Sequence, residues 1–173
     1  MAQHPRVFVT SDHHFYHTNI IKYCNRPFPN IEDMNNELIK KWNNVIAKED
    51  IVYHLGDFFL GNKKEISRIV NLLHGKIRLI MGNHDHASIR NYYEYGFNEV
   101  YRKPVILIQY NVILSHAPII NIDKYGILKN IHGHIHNSSS VNFTHTSYNA
   151  CVEVNDYKPI LIGDALKTMN DCI

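Results

Sequence analysis

The chain has 173 residues, 45% of them hydrophobic and 20% charged, which suits one folded domain over 1–173 and excludes a fibre or a disordered tail. A formal net charge of +2 gives no strong pull toward nucleic acid or an anionic membrane. Histidine stands out at 13 residues, whereas the three scattered cysteines form no C-x-x-C pair and argue against a disulfide scaffold or a thiolate metal site.

Val7 to Thr10 is a short, largely β-branched apolar run that predicts a buried strand. Asn30 is a candidate cap for a helix over Ile31, Met34, Leu38, Trp42 and Val45, which recur at steps of three and four. Ile51 to Tyr53 predicts a second strand. Asn62 with Glu65 has the form of a capping box, and Ile66, Ile69, Val70 and Leu73 then make one helical face that Gly75 stops. Ile77 to Ile80 predicts a third buried strand. Val105–Ile108 and Val112–Leu114 flank Gln109-Tyr110-Asn111 and predict a hairpin. Asn130–Ile131, Val141–Phe143, Cys151–Val154 and Ile160–Ile162 are expected as further short strands, and Ser138-Ser139-Ser140 as loop. Strands alternating with helices, followed by mostly strands, predict an α/β sandwich with more than one sheet. The amino terminus has no secretory-type apolar stretch and no long apolar run follows, so a cytoplasmic protein that does not enter a membrane is expected.

Five polar motifs sit just after predicted strands or within reach of them. They are Asp12-His13-His14, Gly56-Asp57, Gly82-Asn83-His84-Asp85, Ser115-His116 and Gly133-His134-Ile135-His136. Ligands of open α/β sheets bind outside the carboxyl ends of strands, so these strand ends can deliver all five motifs to one place. Imidazole, carboxylate and amide donors together suit borderline or hard metal ions without thiolate. Glycine before Asp57, Asn83 and His134 permits a sharp turn and close approach. His134 and His136 alternate along what is expected to be an extended segment, which points both the same way.

In this order, D-x-H, G-D, G-N-H-D, H and G-H-x-H resemble the calcineurin-like metallophosphoesterases, over residues 12 to 136. The stretch Ser11 to Pro27, with Phe15-Tyr16-His17 and Asn19-Ile20-Ile21, further resembles a small phage and bacterial subgroup. The resemblance implies an α/β sandwich of two facing sheets flanked by helices, and two divalent metal ions. Asp12, His14 and His136 would hold one ion, Asn83, His116 and His134 the other, and Asp57 would bridge them. His84 would contact the substrate phosphate and protonate the leaving group, with Asp85 orienting it. Manganese is the first expected metal for this donor mixture, with iron, zinc or nickel as alternatives. Two cations stabilise both oxygens of an in-line displacement and acidify water, so no serine or cysteine nucleophile is required.

The expected function is a phosphodiesterase acting on a small nucleotide-like or cyclic nucleotide substrate, since 173 residues leave little beyond the catalytic scaffold. The alternatives are a phosphomonoesterase, a nuclease, disfavoured by the weak charge, and a non-catalytic interaction module, disfavoured by the complete ligand set. Tyr16 and His17 follow a candidate ligand and are expected at the cleft wall, one stacking on a base and the other donating to an oxygen. Arg26 is expected to contact the phosphate if the chain folds back. His13, His54 and His132 flank motifs and are expected to play structural roles.

Overall fold

The computed structural model describes residues 5–120, 122, 129–138 and 143–172. The predicted strands appear as β1 (Val7–Thr10), β2 (Ile51–His54) and β3 (Lys76–Ile80), and β4 (Glu99–Tyr101) follows; all four run parallel in the order β4-β3-β2-β1. A short antiparallel strand, β9 (Ile160–Leu161), closes the sheet beside β1. The second sheet contains β5 (Val105–Leu107), β6 (Val112–Ser115), β7 (Lys129–His132) and β8 (Ser147–Asn149) in that order. The expected hairpin is β5–β6, which turn through a single 3-10 turn at Ile108–Tyr110 with Asn111 left-handed.

Both faces of the first sheet are buried, which is why its strands are continuous apolar runs. Neighbouring residues divide between two cores. Phe8, Val52 and Leu79 pack with Met34, Leu38, Trp42, Ile66, Ile69 and Tyr92 from the helices. Val9, Tyr53 and Ile80 turn the other way and meet Val112, Leu114, Ile131 and Tyr148 of the second sheet. Two facing sheets with helices outside are therefore a direct consequence of period-two alternation within apolar strands.

The helices end where their caps dictate. In α2 (Ile31–Val45) the Asn30 side chain accepts from the Asp33 amide at 2.8 Å, and Glu32 and Asp33 place negative charge in the first turn. In α3 (Lys63–Leu72) Asn62 accepts from the amides of Lys64 and Glu65, while Glu65 returns a bond to the Asn62 amide at 2.8 Å. Gly75 adopts φ +91 just beyond it.

Several elements differ from expectation. Helices α1 (Ile20–Tyr23) and α4 (Ile89–Tyr95) and strands β4 and β8 were not predicted. Cys151–Val154 is not a strand: Cys151 makes one bridge to Ser11, and Val152–Val154 form a 3-10 turn. Only Ile160–Leu161 pair as a strand, because Ile162 opens α5 (Ile162–Asp171), whose Ile162, Ala165 and Met169 enter the core between the sheets. A three-residue apolar run cannot by itself distinguish strand from helix start. Residues 139–142 lie outside the described residues, so the serine loop and the strand expected at Val141–Phe143 are covered only at Ser138 and Phe143. Among the described residues no helix is long and apolar enough to cross a membrane.

The capping box gives a direct test of this reading of α3. Asn62→Ala should lower unfolding free energy by about 1 kcal/mol in denaturant titrations, with the helix losing its first-turn acceptor; an unchanged midpoint would show the cap to be idle.

Candidate metal centre

Three loops at the carboxyl ends of β1, β2 and β3 and two from β6 and β7 meet at one edge of the sandwich. Main-chain bonds continue the sheets into these loops. The Asp12 and His14 amides donate to the carbonyls of Gly56 and Asp57, each at 3.0 Å, and the Gly133 amide donates to the His116 carbonyl at 2.8 Å. Ten non-glycine described residues have positive φ, and five of them are Asp12, His14, Asp57, His134 and His136. Such backbone is sparsely populated, tolerated best by Asx and His types, and persists only where the surroundings over-determine it. It turns successive side chains inward more sharply than an extended strand can. The extended segment expected at His134–His136 is thus a left-handed turn, and convergence comes from that turn rather than from alternation.

Small residues make the approach possible. A Cβ at Gly56 would stand 2.5 Å from the Gly82 amide nitrogen and 2.7 Å from His116 Nδ1. A Cβ at Gly82 would strike the Asp57 carboxylate, and one at Gly133 would strike Ser11 Oγ and the Asp12 carboxylate.

Three clusters of ligand-type atoms each lie within 4.8 Å of one another; two hold the expected ligands, Asp12, His14 and His136, and Asp57, His116 and His134, and the third sets Cys24 and Glu153 beside His136. In the first, Asp12 Oδ1 lies 3.8 Å from His14 Nε2 and 3.6 Å from His136 Nε2. In the second, His116 Nε2 lies 2.8 Å from Asn83 Oδ1 and 3.1 Å from His134 Nδ1. Asp57 Oδ2 stands between them, 3.6 Å from His14 Nε2 and 3.5 Å from His116 Nε2. Ring orientation is enforced from behind: His116 Nδ1 faces the Leu55 carbonyl at 2.8 Å and His136 Nδ1 faces Glu153 Oε1 at 2.9 Å, leaving each Nε2 toward the centre.

These residues fit metal ions. Asp12 Oδ1 and His14 Nε2 are buried with no hydrogen-bond partner, an arrangement that costs free energy unless something else occupies the lone pairs. The other Asp12 oxygen is fully engaged, accepting from Ser11 Oγ, from the His134 amide at 2.9 Å and from Cys151 Sγ at 3.2 Å. Burial pushes the Asp12 carboxyl up and His14 far down, so His14 is a neutral imidazole with a free lone pair. His136 goes the other way: burial opposes its charge, but Cys24, Glu153 and Asp12 outweigh burial and raise it to about 10.

Three expected roles meet different surroundings. Asp85 does not reach toward the His84 ring. Its buried carboxylate accepts from the amides of Asp57 at 2.7 Å, Gly82 at 2.8 Å and Phe58 at 3.2 Å, and so ties two motif loops together. Arg26 is 4% exposed and cannot serve as an open phosphate contact. Its guanidinium donates to the carbonyls of Asp12 at 2.6 Å and His13 at 2.7 Å and forms a buried pair with Glu153 at 2.6 Å. Tyr16 faces a different cavity, lined by Asn35, Ile39 and Arg68 between α2 and α3. His17 does remain at the centre, its Nδ1 3.5 Å from His14 Nδ1, and lines one groove with His14, His84 and Tyr23.

The flanking histidines are structural. The Gly56 amide donates to His54 Nδ1 at 3.2 Å, so the proton sits on Nε2, which faces His13 Nδ1 at 2.9 Å. Burial holds His54 down to about 3. His132 spans the Gly133 carbonyl and Ser147 Oγ. Sequence reasoning missed Glu153. Its burial would raise its pKa, yet the bond to His136 and the Arg26 charge hold the carboxyl below its ordinary value. A lone Glu in an apolar run carries no motif that could have revealed it.

The family model of calcineurin-like phosphoesterases matches residues 5–165. The chain belongs to this family. It is 39% identical to an uncharacterized protein of Methanocaldococcus jannaschii, over 96% of this chain and 97% of that one. It is 34% identical to the gene 66 protein of Mycobacterium phage L5, over 44% of this chain and 38% of the phage protein. The fold is also similar to the crystal structure of a protein of unknown function from Aquifex aeolicus, at a TM-score of 0.73 and 28% identity, covering 94% of this chain and 98% of that one. The protein is therefore a metal-dependent phosphoesterase, with divalent ions as its cofactors.

Glu153→Gln removes the charge behind His136 while keeping its shape. Calorimetric titration of metal into metal-free protein should show affinity lowered by about 10–100-fold; unaltered affinity would reduce Glu153 to a packing residue.

Proposed function

We propose that the chain hydrolyses a small, nucleotide-like phosphodiester at a pair of divalent cations. Asp12, His14 and His136 would hold one, Asn83, His116 and His134 the other, and Asp57 both. The observation that carries this reading is the placement of Asp57 Oδ2 at 3.6 Å and 3.5 Å from the nearest imidazole nitrogens of the two groups, where one oxygen serves both. When bound, the cations supply Lewis-acid polarisation of the phosphoryl oxygens and a lowered pKa for water.

The remaining work falls to protein groups. The His84 amide donates to Asp57 Oδ1 at 2.8 Å, which fixes the start of that loop. Its ring lies 5.3 Å from His14 and 6.3 Å from His17, half-buried at the rim of the groove. There it can hold a proton for the departing ester oxygen without being a ligand. His17 and Tyr23 line the same groove and offer a donor and an aromatic edge to the organic part of the substrate.

A diester suits the surroundings better than a monoester. His14, His84, His134 and His136 border one groove, whereas Asn83 and His116 border a second. Organic groups can therefore extend from the phosphorus into two spaces. Manganese remains the metal we propose, on the mixture of oxygen and nitrogen donors.

Asp57→Asn should abolish turnover and release at least one metal ion. His84→Asn should keep both ions and slow turnover by about 10²–10⁴-fold. Metal content and rate measured on one preparation separate the two, and metal loss in the His84 variant would show it to be a ligand. Protein reloaded with manganese should hydrolyse bis-nitrophenyl phosphate faster than the mono-ester. His17→Ala should lower kcat/KM on nucleotide diesters with metal content and melting temperature unchanged; equal losses on every substrate would remove His17 from recognition.

A further inference from the structure

The parallel sheet has a fourth strand end at the same edge as the metal centre. Strand β4 stops at Tyr101, and Arg102-Lys103-Pro104 carry the chain over to β5 in the second sheet. This crossover is what a two-sheet sandwich requires, and it lays two cationic residues beside the ends of β3 and β6. Both side chains are exposed, and neither has a hydrogen-bond or ion-pair partner among the described residues. Several other surface cations are answered, Arg6 by Asp50, Lys41 by Asp156, Lys63 by Glu94 and Arg78 by Glu99. Other exposed cations without a partner among the described residues, such as Lys22 and Lys64, do not line the groove that Arg102 and Lys103 border.

Arg102 and Lys103 share one groove with Asn83 and His116, a space of about 390 Å³ whose apolar walls include Pro104, Pro118 and Ile119. Among the described residues no carboxylate lines it. Among the described residues the groove around His14, His17 and His84 has neither Lys nor Arg in its lining. The two spaces that open from the ligand set thus differ in kind, one carrying imidazoles and an aromatic edge, the other two unpaired cations over an apolar wall.

We propose that the Arg102–Lys103 groove binds a second, non-reacting phosphate of the substrate, carried on a nucleoside that rests against the proline and isoleucine wall. A guanidinium matches phosphate oxygens with two parallel donors and a neighbouring ammonium adds a point charge, so the pair selects a phosphate over a neutral hydroxyl. Asn83 Oδ1 and His116 Nε2, 2.8 Å apart, form the boundary between this groove and the metal centre, so one molecule can span both. The substrate class becomes a phosphodiester bearing at least one further phosphate. The source is either the terminal phosphate of a modified nucleotide or the next backbone phosphate of a short oligonucleotide. This rests on the reading of the centre as a phosphodiester site.

The test is equilibrium binding to the manganese-loaded protein, read by calorimetry. The probes are thymidine 5′-phosphate, thymidine 3′,5′-bisphosphate, and a 5′-phosphorylated thymidine dinucleotide with a phosphorothioate linkage that resists hydrolysis. A probe with the second phosphate should bind about 10–100-fold more tightly than the monophosphate, the scale of one or two partly exposed charge-assisted contacts, and the gain should shrink as salt rises. In the Arg102→Ala/Lys103→Ala double variant the gain should fall to within about threefold. In Arg68→Ala, a cation of the distant α2–α3 cavity, it should persist. A gain shared by the bisphosphate identifies a terminal phosphate; a gain confined to the dinucleotide identifies a backbone phosphate. Equal or undetectable affinities in the wild type, or a gain that survives the double substitution, overturn the proposal. Binding is read without turnover, so a protein that shows the gain but cleaves no diester refutes the proposed reaction and leaves this groove standing.

Discussion

Two carboxylates buried at the ends of adjacent parallel strands set the conditions for everything around them. Asp12 is 0% exposed and Asp57 2%. Among the described residues neither pairs with a Lys or Arg; the ionic neighbours of both are imidazoles. A buried carboxylate that keeps its charge without a compensating partner costs several kcal/mol. Amides answer part of that cost: His134 donates to Asp12 and His84 to Asp57. The oxygens left over face imidazole nitrogens that are themselves held neutral or turned inward. Anions and nitrogen donors enclosed together, with His136 drawn toward its charged form by Cys24, Glu153 and Asp12, form a site that favours added positive charge.

The surrounding geometry follows from bringing those groups so close. The strand ends must bend inward within one or two residues, which demands left-handed backbone at the ligands themselves and glycine beside them. Asp85 then binds the loops of β2 and β3 through three amides, and Arg26 binds the loop of β1 through two carbonyls. Each is a charged side chain withdrawn from solvent to hold main chain in place. A charge is suited to this because its bonds to amides or carbonyls are stronger than those of a neutral group.

The sequence made the first half of the fold and the ligand set legible because both are written in local patterns. Short continuous apolar runs revealed β1, β2 and β3, apolar residues at steps of three and four revealed α2 and α3, and short Gly-Asx-His motifs marked the ends of strands. What was hidden depends on partners far along the chain. Glu153 acquires meaning only opposite His136 and Arg26, the latter 127 positions away. Arg26 and Asp85 looked like functional groups because their types suit phosphate and imidazole chemistry; burial, which no local pattern reveals, turned them into braces. Tyr16 misled for another reason: its amide donates to Asn35 Oδ1 of α2 at 3.2 Å, and it borders the cavity between α2 and α3 and not the groove of His14 and His17. Helix α5 was lost because its first apolar residues continue those of β9 without a break.

The ligand set is divided between the sheets, and this division has a mechanical consequence. Asp12, His14, Asp57 and Asn83 leave the first sheet, and His116, His134 and His136 leave the second. No group of three is supplied by one sheet alone. The separation of the sheets is fixed by the apolar layer of Val9, Tyr53, Leu55 and Ile80 against Val112, Leu114 and Ile131, most of it fully buried. Close-packed interiors of this kind yield little to small forces. The spacing of the imidazoles across from Asp57 is therefore set by hydrophobic packing beneath them as well as by the loops that carry them. Of the residues proposed to meet the substrate, His17 and the Arg102–Lys103 pair stand on segments between regular elements and Tyr23 on the last position of the short helix α1, outside that packed layer.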